Sequence, residues 1–222
     1  MDGNGNGRSF NIKDCALSAI ATGVRAHNLR ELRDHMLRIH PGSIYYHFWG
    51  GLLRPRFDER EFNNDFALWL HEAHGLHDET LAERLAVVDP SEYADIEQLR
   101  FQLIDIMSDR LDESEKLRLT HADKPFEFIR SQIVVFDTGF RISSPEDLAR
   151  TARSMTPSSY FFHFIDSRRR TPGRGNDFCE WLSNYGPEYS RLCDKLREID
   201  PYFISLAELK NSILATFDDY FS

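Results

Sequence analysis

Apolar residues recur at steps of three and four along most of the chain. Leu29, Leu32, Met36 and Ile39 share one face of a helix predicted over 28–39, with Asn28 placed to cap it. After Pro41, Tyr45, Phe48, Trp49 and Leu52 fall on one face and Tyr46, His47 and Gly50 on the other. A helix apolar nearly all round is a buried one. Leu81 and Leu85 stand four apart in a further helical segment, as do Leu192 and Leu196. Ile96, Leu99, Leu103 and Ile106 mark a helix over 96–111, and Leu206, Leu209, Ile213 and Phe217 repeat that spacing. Ser144-Pro145-Glu146-Asp147 reads as a cap, a proline at the first helical position and acids in the first turn. Ile133-Val134-Val135-Phe136 alone looks strand-like, and Ala16-Leu17-Ser18-Ala19-Ile20 reads as a helix. About five helices in each half, each burying one stripe, predict an all-α protein.

The two halves share wording as well as rhythm. Thr22-Gly23-Val24-Arg25 returns as Thr138-Gly139-Phe140-Arg141, and Tyr45-Tyr46-His47-Phe48 as Phe161-Phe162-His163-Phe164. Asn64-Asp65-Phe66 with Trp69-Leu70 returns as Asn176-Asp177-Phe178 with Trp181-Leu182, and Val88-Asp89-Pro90 as Ile199-Asp200-Pro201. Blocks kept in order with unequal spacing between them predict two tandem copies of a unit of about a hundred residues. The boundaries read as a flexible tail over 1–9, a repeat over 10–111, a charged linker over 112–125 and a second repeat over 126–222. Aromatics make up 13% of the chain, more apolar surface than so small a unit buries alone. The copies are therefore expected to pack about a pseudo-two-fold axis. The Thr-Gly pairs read as helix–helix corners, and Trp69 and Trp181 as core anchors.

Charge narrows the partners. A net charge of -9 argues against nucleic acid, which needs a basic face. No apolar run approaches the roughly 20 residues that span a bilayer, so no membrane partner is expected. The start of the chain is polar and unlike a signal peptide. Cys15, Cys179 and Cys193 form no CxxC pair, which fits a reducing, cytoplasmic setting. Asp2, Asn4, Asn6 and Gly7 match the start of a calcium-binding loop, but the twelfth position is Lys13, a cation where the loop needs glutamate. No cofactor and no metal is expected.

Two sets of residues are candidates for chemistry. The first is His47 with Asp65 and His163 with Asp177: a histidine among aromatics, followed by an aspartate that opens the next helix. An aspartate on one ring nitrogen fixes the tautomer, either for catalysis at a pocket or to satisfy a buried ring. The second is an arginine set: Arg54 and Arg56 in one half, Arg168, Arg169, Arg170 and Arg174 in the other, with Arg25 and Arg141 after the Thr-Gly pairs. Arginines leading into a helix N-terminus suit an anion such as phosphate, or pair with the chain's own carboxylates. His71-Glu72-Ala73-His74 is one residue short of the HExxH zinc pattern, and His77-Asp78 is a bare dipeptide shared with metal-dependent phosphohydrolases.

The Thr-Gly-x-Arg turn, the aromatic-aromatic-His-Phe block, Asn-Asp-Phe-x-x-Trp-Leu, the leucine-rich helix over 81–85 and Asp89-Pro90 together resemble a bacterial domain family of unknown function. The resemblance implies a prokaryotic cytoplasmic protein and no activity. The expectation is a non-catalytic module that binds a protein partner or a small anionic, phosphorylated ligand, as a monomer or homodimer. The alternative is a metal-dependent hydrolase built on His47, Asp65, His163 and Asp177.

Overall fold

Two strands of equal length, β1 (Phe10–Ala26) and β2 (Phe126–Ile142), pair into a two-stranded sheet in the computed structural model, which describes residues 9–53, 62–171 and 173–222. The strands run antiparallel. The Thr138 hydroxyl donates to the Ile12 carbonyl and the Thr22 hydroxyl to the Phe128 carbonyl, so numbering rises along one strand as it falls along the other. The protein is therefore mixed α and β, which corrects the all-α expectation. Residues 16–20, expected to be helical, lie inside β1. The physical reason lies in burial. Alternation is complete only at the strand ends, where Phe10 and Ile12 on β1, and Phe126 and Phe128 on β2, are buried around exposed Asn11 and Glu127. Between those ends most residues are exposed or only part-buried, so the period-two contrast is weak.

The Thr-Gly pairs are corrected with them. Gly23 has φ +75° and Gly139 φ +77°, both inside strands, where a left-handed residue marks a bulge. Nothing lies within 4 Å of a Cβ built at either glycine, so backbone conformation alone sets the requirement.

Residue contacts gather the chain into two units. One is the continuous segment Leu17–Gln132; the other joins the described residues up to Ala16 to Ile133–Ser222. Each strand is thus divided between the units. The first unit holds α1 (Leu29–Met36), α2 (Pro41–Trp49), α3 (Asp65–Glu72), α4 (Glu79–Ala86) and α5 (Ile96–Glu113). The stretch 112–125 contains the end of α5 and a 3-10 turn over Glu115–Arg118. The second unit holds α6 (Leu148–Ala152), α7 (Pro157–Tyr160), α8 (Asp177–Leu182), α9 (Ser190–Arg197) and α10 (Leu206–Phe221). A π-helical turn, Phe161–Ile165, continues α7.

These helices start where the sequence places caps. Asn28 accepts from Glu31 N, Asn64 from Ala67 N, and Asn176 from Cys179 N. Their apolar stripes form the cores. Leu29, Leu32 and Met36 of α1 and Leu99 and Leu103 of α5 are buried in the first unit. Phe161, Phe164, Phe178 and Phe217 are fully buried in the second. Each such side chain contributes roughly 1.5–3 kcal/mol by leaving water. Among the described residues, no helix is long and apolar enough to cross a membrane.

Candidate functional site

Proline at the first position of α2 and of α7 sets the start of each aromatic segment that carries a histidine. His47 lies on α2 and His163 in the π-helical turn after α7; they are 3% and 2% exposed. Asp65 and Asp177 are the first residues of α3 and α8, just inside the asparagine caps. His47 Nδ1 lies 2.9 Å from Asp65 Oδ2, and His163 Nδ1 2.8 Å from Asp177 Oδ2. The structure brings together both pairings expected from sequence.

The other ring nitrogen has a partner with no sequence signature. The backbone N–H of Ile129 on β2 donates to His47 Nε2 at 3.1 Å, and that of Lys13 on β1 donates to His163 Nε2 at 2.9 Å. A nitrogen that accepts an N–H carries no proton, so each imidazole is neutral with its hydrogen on Nδ1, directed at the carboxylate. Both nitrogens are engaged. Each ring is also wedged between phenylalanines: His47 lies 4.6 Å from the Phe126 ring and 5.2 Å from Phe66, and His163 lies 4.8 Å from Phe10 and 5.9 Å from Phe178. Each histidine therefore ties one strand end to two helices of its own unit.

The arginines are placed as follows. Arg170 spans the second site: its Nε bonds Asp166 at 3.0 Å, and its Nη2 bonds Asp177 Oδ2 at 3.0 Å and the Phe162 carbonyl at 2.8 Å. Its guanidinium also stacks 4.0 Å over the Phe162 ring. Arg169 Nε bonds Asp166 at 2.6 Å, and Arg168 lies over the Phe164 ring at 5.5 Å. Arg25 pairs with Glu127 and Arg141 with Asp137, both at the surface. Arg174 takes the left-handed conformation, φ +51°. Arg54 and Arg56 lie outside the described residues, as does the calcium-loop-like start of the chain.

Asp166 is the member of this network that motif reading misses. It is 1% exposed, and its charge is met by two guanidinium groups. Its signal was present: Asp166 stands three and four residues before Arg169 and Arg170, the spacing of ion pairs on one helical face.

The remaining histidine patterns serve local structure. Asp78 caps α4 through Leu81 N and forms an ion pair with Arg110 at 2.9 Å, beside a cavity of about 360 Å³ that Gly75, Lys116 and Thr120 also line. His77 Nδ1 bonds the His71 carbonyl, and α3 ends at Glu72, so His71 and His74 do not share a helix. A more open pocket of about 280 Å³ lies against Tyr46, His47, Asp65 and Trp69. Among the described residues, no three of His, Cys, Asp and Glu group in a way that could hold a metal ion.

DUF5752, a family of unknown function, matches residues 7–218. The chain belongs to this family. The match is single and spans both sets of recurring blocks, which corrects the expectation of two tandem family copies with their own symmetry axis. The fold of this DUF5752 chain is similar to a solved structure described as that of OrfY from Thermoproteus tenax. The two are 24% identical, with a TM-score of 0.81 over 96% of this chain and 95% of that one. No curated protein matches the chain. Within the DUF5752 chain, then, the histidine and aspartate positions pair as their sequence order suggests, and the strand that completes each pair is the unexpected partner.

Proposed function

We propose that the protein is a non-catalytic interaction module that associates with a second copy of itself through the β1–β2 ribbon. The observation that carries this reading is the exposure of apolar side chains on a sheet that, among the described residues, has two strands. Val134, Val135, Phe136 and Phe140 of β2 are 42%, 43%, 50% and 63% exposed. Among the described residues each strand pairs with one other strand, so apart from the Lys13 and Ile129 N–H groups taken by His163 and His47 its outer edge is open to a further strand. Exposed apolar side chains beside an open edge suit strand addition or face-to-face packing.

Charge favours a second copy as the occupant. The chain carries -9 overall, yet the ribbon balances Lys13, Arg25, Arg130 and Arg141 against Asp14, Glu127 and Asp137. Two copies meeting there bring together the part of an acidic molecule that repels itself least. The non-catalytic part of the reading rests on the histidines. A general base needs a free ring nitrogen, and the nitrogens of His47 and His163 are occupied by a carboxylate and a strand N–H.

Sedimentation velocity tests the reading. The wild type is expected to sediment as a dimer in the micromolar range, and the double variant Val134→Lys, Phe136→Glu as a folded monomer with unchanged far-UV circular dichroism. A wild type that sediments at 25.9 kDa throughout that range overturns it.

A further inference from the structure

Two of the three cysteines touch. Cys179 is the third residue of α8 and Cys193 the fourth of α9. The Cys179 thiol donates to the Cys193 carbonyl oxygen, with Sγ 3.9 Å from it. Each residue is 6% exposed. A disulfide needs side chains rooted about 3.5–4.5 Å apart at Cβ, and the Cys179 thiol already reaches the Cys193 backbone.

We propose that Cys179 and Cys193 are a redox pair that a hydroperoxide converts into a disulfide joining α8 to α9. This goes beyond the association reading and does not depend on it. Cys193 is the attacking sulfur. The Cys179 side chain beside it and the Arg197 guanidinium hold the Cys193 thiol below its ordinary range. That same contact, with burial, pushes Cys179 up, so it stays protonated until the second step.

In the first step the Cys193 thiolate attacks one peroxide oxygen. An S–O bond forms, the O–O bond breaks, and hydroxide leaves and takes up a proton as water. Cys193 is now a sulfenic acid. In the second step the Cys179 sulfur attacks the Cys193 sulfur and loses its proton. The S–S bond forms, the S–O bond breaks and a second water leaves. The two sulfurs lose two electrons and the peroxide gains them. A molecule as small as hydrogen peroxide suits so enclosed a pair, whereas a bulky disulfide oxidant does not.

Cys15 supplies an internal control. It is buried, donates to the Ser158 carbonyl, and its thiol is pushed up to about 12 by burial, with Asp166 and Asp14 adding to the effect. It is expected to stay reduced while the pair reacts.

The full-length folded protein, treated with hydrogen peroxide, then unfolded and alkylated, decides the matter. The expected product has lost two hydrogens, exposes one alkylatable thiol of the three, and yields a peptide cross-linked between 179 and 193. Closing a loop of about fifteen residues is expected to raise the thermal midpoint by ~5 °C, reversed by dithiothreitol. Cys15→Ala forms the same bond, whereas Cys179→Ala and Cys193→Ala do not. Three alkylatable thiols after treatment, or oxygen adducts without a cross-link, in the wild type or Cys15→Ala overturn the proposal, whatever the stability of the other variants.

Discussion

His163 meets β1 through a nitrogen rather than through bulk. Its ring could be replaced by another of similar size without emptying the space between Phe10 and Phe178, but the Lys13 N–H would then lose its acceptor. His163→Phe separates those two contributions. Leaving a part-buried backbone donor and the Asp177 carboxylate short of a partner is expected to cost ~1–3 kcal/mol, measured by urea unfolding with an unchanged m-value. A variant as stable as the wild type would mean that the ring acts through packing alone. The pairing of His163 with Asp177 was legible in the sequence, because the same residue types recur in order as His47 and Asp65. The strand N–H was not, because a backbone donor is common to every residue but proline. The buried Asp166 falls between these cases. Its spacing to Arg169 and Arg170 can be read directly, but only the fold shows that Arg170 also reaches Asp177 and Phe162.

Among the elements, the helices were readable and the strands hardly so: only Ile133–Phe136, inside β2, looked strand-like. A helix that buries a single stripe, such as α1 with Leu29, Leu32 and Met36, writes its period into the sequence. A ribbon largely open to solvent over its central stretch writes only a weak period, and Ala16-Leu17-Ser18-Ala19-Ile20 contains good helix formers with no helix to form. The glycines hold the decisive clue. Gly23 and Gly139 occupy left-handed conformations within the strands with empty space where a Cβ would stand, so they are kept for their dihedral angles. Gly139→Ala is expected to lower stability by ~1–2 kcal/mol through that conformation alone, and Gly139→Asn by less, since asparagine tolerates left-handed angles. Thermal melts of the two variants check the order. Equal losses would point instead to a steric role, which the open space around Gly139 argues against.

On the scale of the whole molecule, continuity of sequence and continuity of structure part company. The unit Leu17–Gln132 is one unbroken segment, and it contains every partner of its own latch: His47, Asp65, and the Ile129 N–H that follows Phe126 and Phe128. The other unit borrows its latch strand from the far end of the chain. Without residues 10–16 it lacks Phe10 and Ile12 from its core, the Lys13 N–H on His163, the Cys15 contact with Ser158 and the Asp14 contact with Thr156. Two buried apolar side chains at roughly 1.5–3 kcal/mol each are a large share of the ~5–15 kcal/mol that holds an ordinary domain folded. A fragment of residues 17–132 is therefore expected to fold alone, with a cooperative melt and a near-UV circular dichroism signal. A fragment of residues 126–222, the stretch that the recurring blocks suggest as a self-sufficient repeat, is expected to lack both. Fusing residues 9–16 to it through a flexible linker restores the missing strand and should restore the transition. If 126–222 melts cooperatively by itself, the division of β1 between the units has no energetic weight, and the latch of His163 on Lys13 becomes dispensable with it.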